Sequence, residues 1–142
     1  MPLFYADASA LVKLVRDEPE SHTLRTFLAD SDLVSCELAL TEIPRTIRRA
    51  AAHDPRLDSD RLMARAGEVV DALGLLPLER ALLLAAGALS EPALRALDAI
   101  HVAAAVDLGP LDGFVTYDER QAAATWMNWC ALVWCAPDCG RR

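Results

Sequence analysis

Apolar positions recur along this chain in two rhythms, and their alternation predicts its elements. Leu3-Phe4-Tyr5-Ala6, Asp32-Leu33-Val34-Ser35-Cys36, Gly113-Phe114-Val115-Thr116 and Ala131-Leu132-Val133-Trp134-Cys135 are short, mostly unbroken apolar runs. Such runs suit strands buried on both faces. Leu75-Leu76-Pro77-Leu78 reads as one more short strand, and its proline points to an edge or a strand end. Between the runs the period lengthens. Ala8 to Val15 reads as a helix, and Pro19 opens a second through about Ala29, with Leu24, Phe27 and Leu28 on one face. A third follows Ser35 and contains Glu37 and Glu42. Leu62, Ala66, Val69, Val70 and Leu73 mark an amphipathic fourth. Glu79 to Leu89 is nearly all apolar, as is Arg95 to Val106, and Glu119 to Trp126 is the last helix. Strands alternating with helices predict an α/β fold with helices on both faces of a central parallel sheet of four to five strands. No linker or repeat interrupts the pattern, so residues 1–142 read as one domain, with 139–142 as a loose tail.

Four acids stand out against this pattern. Asp98 is the sole charge between Arg95 and Asp107 in a helix that is apolar on nearly every face. A carboxylate there loses hydration unless it finds a partner. It is either bonded to an arginine or a helix end, or it is a metal ligand. Asp7 ends the first strand, where sites of open α/β sheets lie, and it is equally suited to cap the next helix. Asp118 ends the Phe114-Val115-Thr116-Tyr117 run in the same way. Glu42 shares a helix face with Arg45 and Arg49 at the i, i+3, i+7 spacing. That face is either solvated and internally paired, or an acid at a site flanked by guanidinium groups for phosphate. Ser35 is placed to cap this helix, and Pro44 predicts a kink or a break near Glu42.

Carboxylates gathered at one sheet edge repel one another, and divalent cations reverse that interaction. Oxygen-only ligands suit Mg²⁺ or Mn²⁺, and an acidic metal site suits in-line attack of water on a phosphodiester.

Composition narrows the classes. The chain is 54% hydrophobic, its net charge is −7, and Lys13 is its single lysine. Nucleic acid must therefore be bound through a local basic patch or bound cations, not the whole surface. Cys36, Cys130, Cys135 and Cys139 form no Cys-x-x-Cys, and His22, His53 and His101 sit at no zinc-like spacing to them. No signal peptide or membrane-length apolar run is visible, so the expected location is the cytoplasm. Trp126, Trp129 and Trp134 are expected in the core or a subunit interface.

Taken in order, Tyr5-Ala6-Asp7-Ala8-Ser9-Ala10-Leu11, Leu40-Thr41-Glu42-Ile43, Leu97-Asp98-Ala99-Ile100-His101-Val102-Ala103 and Phe114-Val115-Thr116-Tyr117-Asp118-Glu119-Arg120 resemble the PIN domain, specifically the VapC-type ribonuclease toxins. The resemblance runs from about Leu3 to Pro137. It implies a three-layer α/β/α fold and an Mg²⁺- or Mn²⁺-dependent endoribonuclease with Asp7, Glu42, Asp98 and Asp118 as catalytic and metal-holding acids. It also implies a homodimer and a VapB-type antitoxin partner. Ser9 and Thr116 would orient the acids. Arg45 and Arg49 are the candidate RNA contacts. Glu119 competes with Asp118 for the metal, and His101 faces either the site or the core. The alternative reading is a catalytically silent PIN-like RNA-binding or regulatory module.

Overall fold

The structure is a computed structural model, described for residues 1–128 and 132–134, with side chains up to residue 124. Five parallel strands form the sheet: β1 (Leu3–Ala6), β2 (Asp32–Cys36), β3 (Gly74–Leu76), β4 (Gly113–Val115) and β5 (Leu132–Trp134). Their spatial order is β3-β2-β1-β4-β5, with β1 central. The helices are α1 (Ala8–Val15), α2 (Ser21–Leu28), α3 (Ala39–His53), α4 (Ser59–Asp71), α5 (Arg80–Gly87), α6 (Ala96–Asp107) and α7 (Glu119–Asn128).

The period of two along β1 splits the core. Phe4 and Ala6 face one side, where Leu11, Leu14 and Val15 of α1, Leu24 of α2 and Ile43 and Ile47 of α3 close over them. Tyr5 faces the other side and packs with Phe114 and Cys36 beneath Leu82, Ala86, Ala99 and Ala103 of α5 and α6. Tyr5 and Phe114 stack with ring centroids 5.1 Å apart. The small residues of α6 let it lie close to the sheet, and Ala103, Ala104 and Ala105 are all buried. α1 to α4 cover one face of the sheet and α5 and α6 the other, giving α/β/α. Register is fixed by pairs such as Tyr5 with Val34 and Phe114.

Several local expectations are corrected. α2 begins at Ser21, two residues after Pro19. Ser35 does not cap α3. Its hydroxyl is buried and donates to the Ala6 carbonyl at 2.7 Å, tying β2 to the end of β1. Glu37 lies before α3, not in it, and accepts from the Leu78 backbone N–H. Pro44 sits inside α3 without breaking it. The carbonyl that loses its donor belongs to Leu40, an exposed residue near the helix start, where water reaches it. β3 is an edge strand, and it ends at Leu76, just before Pro77. Trp129 and the three late cysteines lie outside the described residues, as do the side chains of Trp126 and Trp134 and the tail 139–142. Among the described residues no helix is long and apolar enough to cross a membrane.

Candidate active site

The carboxyl ends of β1 and β4 open into a cleft of about 390 Å³, walled by α1, α3 and the starts of α6 and α7. Asp7, Glu42, Asp98 and Asp118 all line it. Four segments up to 111 residues apart in sequence thus deliver one acid each to one concavity.

Asp7 is the deepest of the four, with 1% of its surface exposed. It is the N-cap of α1, so the helix start and the site use the same carboxylate. Its Oδ1 accepts from Ser9 Oγ at 2.6 Å and the Ala10 backbone N–H at 3.1 Å; its Oδ2 accepts from Thr116 Oγ1 at 2.7 Å. Thr116 Oγ1 in turn accepts from the Asp118 N–H at 2.9 Å, and Ser9 Oγ from the Tyr117 N–H at 2.9 Å. Ser9 and Thr116 therefore hold Asp7 and fix the chain that carries Asp118. Burial pushes the Asp7 carboxyl above its usual range, against the pull of Ser9, His101 and Thr116.

Glu42 reaches the cleft from α3, half-buried, and its Oε1 lies 2.5 Å from His101 Nε2. His101 is fully buried; its Nδ1 meets the Tyr5 hydroxyl at 2.8 Å and Cys36 Sγ at 3.7 Å. Burial pulls the imidazole pKa down, but the contacts with Cys36 and the Glu42 carboxylate outweigh it and push it up to about 10. His101 thus serves both readings: it is in the core, and it anchors an acid of the cleft.

Asp98 stands in the first turn of α6. Its Oδ2 accepts from the Arg95 backbone N–H at 3.2 Å and its Oδ1 from Gln121 Nε2 at 3.1 Å. The helix-end role is real, and the residue faces the cleft as well. Asp118 lies three residues beyond β4, not at its last position, and its Oδ1 accepts from the Arg120 and Gln121 N–H groups at the start of α7. Glu119 is exposed and does not line the cleft, whereas Asp118 does.

Among the described residues no three acids or other metal-binding side chains stand close enough to hold an ion as placed. Each acid is turned to its own donor instead: Asp7 to two hydroxyls and a cap, Glu42 to His101, Asp98 and Asp118 to helix N–H groups. Mutual repulsion favours that spreading.

Sequence reasoning missed one wall. Lys13 Nζ is held by Glu18 at 2.6 Å and Glu20 at 3.0 Å, and lies 4.7 Å from the Tyr117 ring centroid. Its being the chain's one lysine was the available signal. On α3 the residue beside Glu42 in the cleft is Thr46; Arg45 and Arg49 are exposed and do not line it.

The PIN domain family model matches residues 4–126. The chain belongs to the PIN domain family. It is 39% identical over 127 residues to Ribonuclease VapC46 of Mycobacterium tuberculosis, covering 87% of this chain and 91% of that protein. The PIN fold is also seen against solved structures. The crystal structure of M. tuberculosis VapC20, a Sarcin-Ricin loop cleaving toxin, superposes with TM-score 0.67 at 16% identity, over 85% of this chain and 94% of the other. That of VapBC2 from Rickettsia felis, bound to a DNA fragment from its promoter, gives 0.65 at 9% identity, over 94% and 98%. In this PIN chain the family match spans all four acids and the two hydroxyls that hold Asp7.

Proposed function

We propose that this PIN-domain protein is an endoribonuclease that hydrolyses RNA phosphodiester bonds with Mg²⁺ or Mn²⁺, and that it is the toxin of a toxin–antitoxin pair. The observation that carries the reading is the meeting of Asp7, Glu42, Asp98 and Asp118 in one cleft. The relationship to Ribonuclease VapC46 supports RNA as the substrate. The antitoxin, of VapB type, is supported by the resemblance to the VapBC2 assembly.

The donor set fits a hard divalent cation: four carboxylates, with no thiol or imidazole among the described residues that line the cleft. The buried Asp7, whose carboxyl burial pushes up, is a group that a cation would relieve. When bound, such an ion lowers the pKa of its water and offsets charge on the phosphate oxygens. The chain's own residues supply the rest. Asp7, Glu42, Asp98 and Asp118 would hold the ion, with Glu42 anchored by His101. Ser9 and Thr116 keep Asp7 aimed into the cleft, and Lys13, pinned by Glu18 and Glu20, puts a positive charge on its wall. Arg45 and Arg49 stand exposed on α3, the helix that carries Glu42, and are the candidate contacts for backbone phosphates outside the cleft. The exposed Leu83, Leu84, Leu97 and Val106 of α5 and α6 support a homodimer through that face.

The test is an acid series. The purified protein is expected to cleave single-stranded RNA in Mn²⁺, to stop in EDTA, and to lose roughly 100-fold or more in rate on Asp98→Asn or Asp118→Asn. Retained RNA binding with no cleavage under any divalent ion would make it a binding module instead.

A further inference from the structure

The acid cleft is not the largest concavity among the described residues. A groove of about 670 Å³ lies between the α1–α2 connection and α4. Arg16, Arg25, Arg56, Arg61 and Arg65 line it, in a protein whose net charge is −7. Two carboxylates, Asp17 and Asp58, share the lining. Val15, Leu57 and Leu62 form an apolar floor.

The arginines of the groove differ in how firmly they are held. Arg25 is braced by Asp17 at 2.7 Å and the Leu14 carbonyl, so it shapes the groove. Arg56 is held by Asp54 through two parallel hydrogen bonds of 2.9 and 3.1 Å, whereas Arg65 pairs with Glu68 at the surface, where an ion pair contributes only about 0.2–1 kcal/mol. Arg61 forms no ion pair among the described residues. A phosphate can take the place of a surface carboxylate at little cost, and guanidinium groups bind it through two parallel hydrogen bonds.

The groove also adjoins the acid cleft. Arg16 lines the first and Glu18 the second, and Arg16 Nη1 lies 3.8 Å from Glu18 Oε1. One chain turn is the shared rim of both.

We propose that this arginine groove holds the sugar-phosphate backbone of RNA on one side of the scissile bond, so that the substrate runs from the acid cleft across the Arg16–Glu18 rim onto α4. The inference rests on the nuclease reading and adds the path of its substrate. The acid cleft alone repels a polyanion, and the groove supplies the attraction next to it. Its apolar floor gives ribose and base faces something to lie on, without reading sequence.

The experiment compares wild type with Arg61→Ala/Arg65→Ala, both full-length. Affinity for a fluorescent 12-nucleotide single-stranded RNA is measured in EDTA across a salt series. Cleavage in Mn²⁺ is then measured on the same RNA and on a trinucleotide that spans the acid cleft only. The double variant is expected to lower the slope of log affinity against log salt by about 1.4, at about 0.7 for each phosphate that is no longer neutralised. It should raise KM for the 12-mer about tenfold and leave trinucleotide cleavage unchanged. Arg80→Ala, on α5, should leave the slope as it is. If the double variant melts below the assay temperature, Arg61→Gln carries the same test with half the slope change. An unchanged slope with normal cleavage overturns the groove proposal and leaves the nuclease reading standing. A wild type that neither binds nor cleaves overturns both. If the slope is unchanged but the variant loses affinity for a polyglutamate peptide, the groove takes an acidic protein segment and the RNA path is wrong.

Discussion

Replacing Asp7 by Asn separates a metal-holding acid from a structural cap. The shape is kept, and Asn caps a helix about as well as Asp. With Oδ1 in place, the bonds from Ser9 Oγ and the Ala10 N–H remain, while Nδ2 faces Thr116 Oγ1 and reverses that bond. The loss of charge assistance costs about 1 kcal/mol per retained bond. Removing a carboxylate that is 1% exposed gains several kcal/mol of desolvation. Burial outweighs the donors at this carboxyl, so the balance favours the amide by about 0–2 kcal/mol at neutral pH. At about 3–5 °C per kcal/mol for a chain of this size, Tm in EDTA should match wild type or exceed it by up to about 10 °C. The sign with pH follows. The folded-state pKa of Asp7 is raised above its unfolded value, so the stability it contributes is greatest at low pH and is lost as pH rises through the folded pKa. Lowering pH from neutral should therefore narrow the gap between the two proteins. Adding Mn²⁺ at about 100 times Kd should stabilise wild type by about 2.7 kcal/mol and the variant much less. A calorimetric melt of each protein, with and without Mn²⁺, decides it. A variant more than about 2 kcal/mol less stable in EDTA, with no Mn²⁺ response in either protein, would refute the reasoning and leave Asp7 as a cap.

Three further outcomes are expected. His101→Gln can satisfy Tyr5 or Glu42 but not both, and one unpaired buried group costs about 1–3 kcal/mol, read as a lower Tm. Gly109 has φ of +83°, and a Cβ there meets open space, so Gly109→Ala should cost about 1 kcal/mol through the backbone alone, measured by denaturant unfolding. Arg45→Ala/Arg49→Ala should weaken RNA binding and flatten its salt dependence; an unchanged slope would remove both from the RNA surface.

The acids were legible because their setting is improbable. A carboxylate inside Leu97-Asp98-Ala99-Ile100, or at the end of Tyr5-Ala6, stands out in one dimension. The strands were legible for a similar reason, being apolar runs that no helix period explains. Side-chain direction was not. On α3 the i, i+3, i+7 spacing linked Glu42 to Arg45 and Arg49, but Ile43 and Ile47 are the residues driven into the core, and this turns Thr46 to the cleft. Ser35 looked like a cap because nothing in its neighbourhood reveals the Ala6 carbonyl 29 residues away. The Lys13–Glu18–Glu20 wall and the arginine groove draw on segments that meet only after folding, with Arg16, Arg25 and Arg65 on three different segments. Charge spacing within one helix cannot report such meetings.

The central claim, that four acids hold a cation which directs water at an RNA phosphodiester, is tested most directly by the chemistry of the cut ends. A single-stranded RNA is digested by the wild-type protein with Mn²⁺ and with EDTA, and the termini are identified by mass spectrometry. Attack by water predicts a hydroxyl on one end and a plain phosphate monoester on the other, only with the metal present, and equal cutting where the 2′-hydroxyl beside the bond is replaced by hydrogen. Products ending in a 2′,3′-cyclic phosphate, formed equally well in EDTA, would contradict the account.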